Sequence, residues 1–170
     1  MSDEGTSRMS SATTIVHSPF LDALTEPVRQ LLIPLAVSKA FPPGEELFRE
    51  GHRHDDIYLV TQGHVRLEMF VRERGHLPLL TVGPGDLVGW SPLFSDRPMT
   101  ATATALDQVH TLAFDGRRLQ ELCESNHEVG YQIMRQIVDV LSNRLTATRL
   151  QLLDLFQEHS PLPTSTDDQC

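Results

Sequence analysis

The residues of this chain whose types could do chemistry fall into two groups. The first is Gly83-Pro84-Gly85-Asp86-Leu87-Val88-Gly89, continued by Trp90, Ser91, Arg97, Met99 and Thr100. Glycine-punctuated turns let backbone N–H groups point into a pocket, where they can hold an anion or a polar ligand. Arg97 would add a cation if it swung inward; as a turn residue it otherwise faces water. The second group is His52-Arg53-His54-Asp55-Asp56, which has the residue types of a metal site. His54 lies too close to Asp56 for a His-x-His site with a later carboxylate. No histidine occurs between Gly83 and Trp90 to complete one, so a solvated loop is expected. His64, His76, His110 and His127 show no ligand spacing. Gly-x-Ser-x-Gly, P-loop and Cys–His signatures are missing from the sequence. The expectation is a protein that is not an enzyme and carries no metal or cofactor.

These residues must be positioned by a fold. At 170 residues the length fits one domain. Residues 1–18 and 157–170 are polar and aperiodic and are expected to be disordered tails. Between them, residues 19–126 read as a barrel with short helices and residues 127–156 as one long helix. Ser18, Pro19, Phe20, Leu21 and Leu24 predict a helix over 19–36, broken by Pro27 and Pro34. Strands are expected at 46–48, 57–61, 64–71, 77–82, 100–106 and 109–114, with glycine turns between several of them. In 64–71, Val65, Leu67, Met69 and Val71 alternate with His64, Arg66, Glu68 and Phe70, the period of a half-buried strand. Residues 72–75 read as a hairpin tip, and Asp107-Gln108 as a second, two-residue hairpin. Many short strands of this kind predict a β-barrel or jelly roll. Asp115 caps a short helix and Asn126 the long one, which at 1.5 Å per residue is about 45 Å long.

The long helix carries two apolar stripes. Met134, Val138, Leu141, Leu145, Thr148, Leu152 and Leu155 alternate four and three apart, a heptad seam. Val129, Ile133, Ile137, Val140 and Leu153 flank it and could pack on the barrel. One reading is a helix lying on its own domain. The sharper one, which we expect, is a parallel homodimer through the seam, because one barrel cannot cover both faces over that length. No N-terminal signal peptide and no apolar window of the ~20 residues needed for a membrane span occur. Cys123 and Cys170 are the only cysteines. A structural disulfide is not expected, and a reducing, cytoplasmic setting fits. The formal charge of −9 does not favour nucleic acid.

Arg49-Glu50-Gly51, Asp56-Ile57-Tyr58-Leu59-Val60, Gly63-x-Val65-Arg66-Leu67, the Gly83 to Gly89 run and Asn143-Arg144-Leu145 on the long helix, taken in order, resemble the cyclic-nucleotide-binding domain of the catabolite-activator (CRP/FNR) family. The resemblance covers residues 20–156. It implies an eight-stranded jelly-roll barrel followed by a dimerisation helix, a mostly β fold with flanking helices. It also implies that the stretch after Gly89 is a phosphate-binding cassette. There, a Glu after the glycine bonds the ribose, and an Arg following a proline pairs with the cyclic phosphate, which needs a fixed fork of donors. In this sequence those positions hold Trp90 and Met99, after Pro98. Thr148 falls where the family presents a hydroxyl to the base; the alternative is a polar residue setting register in the seam. Family transcription factors continue into a winged helix-turn-helix. Here a polar tail follows, so the chain is read as a stand-alone domain lacking the DNA-binding part.

The expectation is a non-catalytic regulatory or accessory module acting through a protein partner or a non-standard ligand. One alternative is a sensor that binds a cyclic nucleotide or other phosphorylated ligand through the amides of Gly89, Trp90 and Ser91 with Arg97, Thr148 and Arg149. Another is an accessory subunit of an oxidoreductase complex, such as a NAD-reducing soluble hydrogenase, by likeness of domain type. A third is a cupin-like metalloenzyme.

Overall fold

The computed structural model of the protein describes residues 18–94 and 98–158, with 151, 152 and 154–158 as backbone only. Two short helices open it, α1 (Pro19–Asp22) and α2 (Glu26–Leu32). Ser18 accepts a hydrogen bond from the Leu21 amide at 3.2 Å and Pro19 takes the first turn, where its missing N–H costs nothing. The expected helix over 19–36 therefore holds only in part. After Pro34 the chain leaves a single 3-10 turn at Ile33–Leu35 and enters a strand the sequence reading missed, β1 (Ala36–Phe41).

Seven more strands follow: β2 (Glu46–Phe48), β3 (Asp56–Gln62), β4 (Val65–Val71), β5 (Gly75–Val82), β6 (Leu87–Val88), β7 (Thr102–Ala105) and β8 (Val109–Asp115). They form two antiparallel sheets, β1-β8-β3-β6 and β2-β7-β4-β5. The fold is thus mostly β with flanking helices, as expected. The tip over 72–75 is a hairpin, pairing Val71 with Gly75. The expected hairpin at Asp107-Gln108 is not one, because β7 and β8 lie in different sheets. That turn carries the chain from one sheet to the other. The Asp107 carboxylate accepts from the His64 amide at 2.7 Å, and Leu106 N donates to His64 O at 2.9 Å, so the corner is stitched to the neighbouring β3–β4 corner. Along β4 the alternation buries Val65 and Leu67, while Met69 and Val71 are exposed. A register shift after Leu67 marks where the strand runs past the core.

Two apolar clusters result. Phe41, Phe48, Tyr58, Val60, Val65, Val88 and Met99 are among the residues filling the space between the sheets. Ile57, Leu59, Leu87 and Phe114 face the other way, against the helices. β3 is buried on both faces, which is why 57–60 reads as an unbroken apolar run. Two C-terminal helices complete the fold, α3 (Gly116–Ser125) and α4 (His127–Glu158). The Asp115 carboxylate accepts from Arg118 N at 2.8 Å, and the Asn126 side chain from the Glu128 and Val129 amides, both as expected of caps. α4 runs two residues beyond the expected end at Phe156. Val129, Ile133 and Ile137 seal it to the barrel. Leu153, expected beside them, is exposed, because α4 has by then passed the sheets. No helix among the described residues is long and apolar enough to cross a membrane.

Candidate functional site

The glycine turn is built by its own backbone. Asp86 N donates to Gly83 O at 3.1 Å, and the Asp86 carboxylate accepts from Gly83 N at 2.9 Å. The turn is tied to β3 by Gly85 N to Val60 O at 2.8 Å and Val60 N to Asp86 O at 2.9 Å. β6 then pairs with Tyr58 and Leu59 and delivers the chain to Gly89. Only glycine fits there. Its φ is +73°, and a Cβ would stand 3.1 Å from Phe48 Cε1 and 3.2 Å from Asp56 O. Beyond it, Ser91–Leu93 makes one 3-10 turn after Trp90. Arg97 lies outside the described residues.

Met99 is fixed by two backbone bonds to the loop after β2: Gly51 N donates to Met99 O and Met99 N to His52 O, each at 2.9 Å. Its side chain is 5% exposed and packs between the sheets. No cation occupies this position. The cation near Trp90 comes instead from α4. The Arg144 guanidinium lies over the Trp90 ring, 4.5 Å from its centroid, and Nη2 donates to Leu87 O at 2.5 Å. A desolvated cation–π contact of this kind is worth about 2 kcal/mol. Nη1 is buried and has no hydrogen-bond partner among the described residues. Burial pushes the Arg144 pKa below its ordinary value, while the nearby Asp86 carboxylate acts in the opposite direction; a guanidinium nonetheless keeps its charge.

Between these groups is a cavity of about 70 Å³, lined by Phe48, Leu67, Gly89, Trp90, Ser91, Met99, Thr100, Ala101 and Arg144. The structure therefore brings together the expected Gly89, Trp90, Ser91, Met99 and Thr100. Thr148 and Arg149 do not line it. Both are exposed, and the Thr148 hydroxyl donates to Arg144 O, one turn back, at 2.9 Å. Arg144 is the site residue that sequence reasoning passed over, although it sits inside the Asn143-Arg144-Leu145 motif. In the expected seam, Met134, Val138, Leu141, Leu145 and Thr148 are exposed, while the side chains of Leu152 and Leu155 lie outside the described residues.

The His52 to Asp56 stretch is only partly the solvated loop expected. His54 turns inward, its ring 5.5 Å from Phe48 and 5.3 Å from Tyr58 between centroids. His54 Nε2 is buried without a partner among the described residues. Asp56 instead pairs with Lys39 Nζ at 2.5 Å. Burial, and then the Asp56 charge, pushes the Tyr58 hydroxyl well above its ordinary range. Its role is structural, with the ring edge-on to Phe41.

The arrangement is a glycine-turn cradle on a two-sheet scaffold, against which α4 lays a cation beside Trp90. The profile of the cyclic nucleotide-binding domain matches residues 38–126, and the chain belongs to that family. It is 32% identical over 117 residues to the CRP-like cAMP-activated global transcriptional regulator of Mycobacterium tuberculosis, covering 68% of this chain and 50% of that one. The chain thus spans about half the length of this relative. Among solved structures, Thermus thermophilus catabolite activator protein superposes with a TM-score of 0.65 at 26% identity, over 82% of this chain and 63% of that one. The N-terminal domain of a transcriptional regulator from Streptomyces coelicolor A3(2) does so with 0.62 at 31% identity, over 77% and 91%. These relatives are named as regulators, not as enzymes.

Proposed function

We propose that the chain is a non-catalytic regulatory module that dimerises through α4. Its jelly-roll pocket does not hold cyclic nucleotides by the usual contacts, and it acts through a protein partner or another ligand. The observation that carries this is position 99. Where the resemblance calls for a phosphate-pairing arginine, a thioether 5% exposed is pinned between the sheets. Trp90, in place of the ribose-binding Glu, lies under Arg144. A desolvated phosphate left without its cation loses about 3 kcal/mol or more, some two decades of affinity. A second reading, a sensor with a modified cassette, is favoured by one feature, the Arg144 guanidinium beside the cavity.

Isothermal titration with cyclic AMP and cyclic GMP tests this. The expected result is no binding at micromolar concentrations. Micromolar cyclic AMP binding that Arg97→Ala abolishes would overturn the reading and assign the missing cation to Arg97.

A further inference from the structure

We propose that His54 is a proton-operated latch on the cavity beside Trp90: neutral, its ring holds Phe48 and the loop before β3 in place, and protonated, it swings to solvent and frees the Phe48 and Met99 walls. This adds a regulation to the site read above and rests on that site being the functional one. The contacts of His54 are the first argument. Its ring stands between Phe48 of β2 and Tyr58 of β3, with centroids 5.5 and 5.3 Å away. Phe48 in turn lines the cavity and lies against Gly89, where a Cβ would stand 3.1 Å from Phe48 Cε1. The loop that carries His54 is bonded to Met99, a second wall, through Gly51 N to Met99 O and Met99 N to His52 O, each at 2.9 Å. One side chain thus braces two walls of the cavity, one by ring contact and one through the backbone of its loop.

Chemistry is the second argument, because only the neutral ring suits this position. Nε2 is buried and has no partner among the described residues. A proton added there puts a charge between two rings, which costs far more than the one missing hydrogen bond. The charged groups around it give little relief. On β3, Asp56 is already paired with Lys39 of β1, and that ammonium repels an imidazolium. Asp55, in the same loop, is exposed, so water screens its attraction. Burial keeps the Tyr58 hydroxyl protonated and uncharged. For His54 itself, burial outweighs these charges and holds the pKa below its ordinary value. Gly51, His52, Arg53 and Asp55 are all exposed. A charged ring therefore reaches water by turning with its own loop, and no strand has to part.

Amide hydrogen exchange of the full chain between pH 7 and 5, corrected for intrinsic rates, tests the latch. Acrylamide quenching of Trp90, the single tryptophan, tests its reach to the cavity. Exchange at the Gly51 and Met99 amides should accelerate at least about threefold as His54 takes up its proton. It should be insensitive to low urea, the mark of a local opening that exposes little surface. Quenching should rise over the same pH range. His54→Phe should hold both readouts flat. Should that variant fail to fold, His54→Gln, which is neutral at every pH, should do the same. Four outcomes would each overturn the proposal: no acceleration, exchange that steepens with urea as global unfolding does, acceleration with Trp90 access unchanged, or the same pH response in a folded variant. No readout here involves a nucleotide, so failure of the latch leaves the preceding reading standing. Cyclic AMP binding would overturn that reading and leave the latch to be decided by these measurements.

Discussion

Two side chains exchange roles around the pocket: Met99, where a cation is called for, is apolar and buried, and Arg144 brings a cation from α4. A third residue, His54, shows what burial does to a titratable group in the same barrel. Its ring lies between Phe48 and Tyr58. Burial pushes its pKa below the ordinary value; the Asp56 and Asp55 carboxylates oppose this and Lys39 assists it. The folded state therefore binds this proton less readily than the unfolded chain. The sign follows: stability is complete above the unfolded value of about 6.5 and falls as the pH drops below it. Chemical denaturation across the range from pH 7 to 5 should show declining stability, and His54→Phe should flatten that decline. An equal slope in the variant would assign it to other groups. Glu46 and Asp107 have lowered pKa values, so their loss comes at more acid pH. How much of the site was legible depends on chain distance. Trp90 and Met99 are read by counting from Gly89. Arg144 is not, because its place depends on how far along the barrel α4 travels. His54 is not either, since one residue of a polar loop can turn inward without changing any local pattern.

Among the elements, legibility follows periodicity. β3 and α4 carry strong patterns, and their places are read directly from them. β1 does not: Ala36, Ala40 and Ser38 are small, and Val37 is exposed, so its six residues show no two-fold alternation. The strand exists because β8 supplies partners for all of them, from Ala36 with Phe114 to Phe41 with Val109, a tertiary cause invisible locally. The corner at Asp107 misleads for a related reason: a two-residue turn between strands is a hairpin only if the strands share a sheet. The base of α4 is where Val129, Ile133 and Ile137 are buried in one cluster with Phe20, Ile57, Leu87 and Phe114. Ile133 lies at the centre of this contact. Ile133→Ala should cost about 2–5 kcal/mol by lost transfer and cavity terms, measured by urea denaturation. It should also loosen Arg144 from Trp90, seen as a change in Trp90 fluorescence. A cost below 0.5 kcal/mol would mean that α4 is not held by this contact.

For the whole molecule, the open question is what covers the outer face of α4. Met134, Val138, Leu141 and Leu145 are 42%, 53%, 40% and 53% exposed, at four-three-four spacing along a helix whose other face is already used. Val129 and Ile137 show that the barrel covers only the first part of α4. A second copy in parallel would place each of these side chains against its twin, in the geometry a heptad seam requires. Burying the remaining half or so of four such positions on each of two chains, at about 0.7–1.5 kcal/mol per side chain, gives about 6–12 kcal/mol. That is comparable with the 4–15 kcal/mol that association costs. The dimer is therefore expected to be reversible. Two measurements follow. Sedimentation equilibrium of the unaltered chain should give a dimer and Leu145→Asp a monomer, since a carboxylate pair facing across the axis adds repulsion to lost burial. The thermal midpoint of the unaltered chain should rise with protein concentration, and that of Leu145→Asp should not, because only association couples stability to concentration. A monomeric wild type would leave the exposed stripe to a different protein, and the partner search would then begin at Val138 and Leu145.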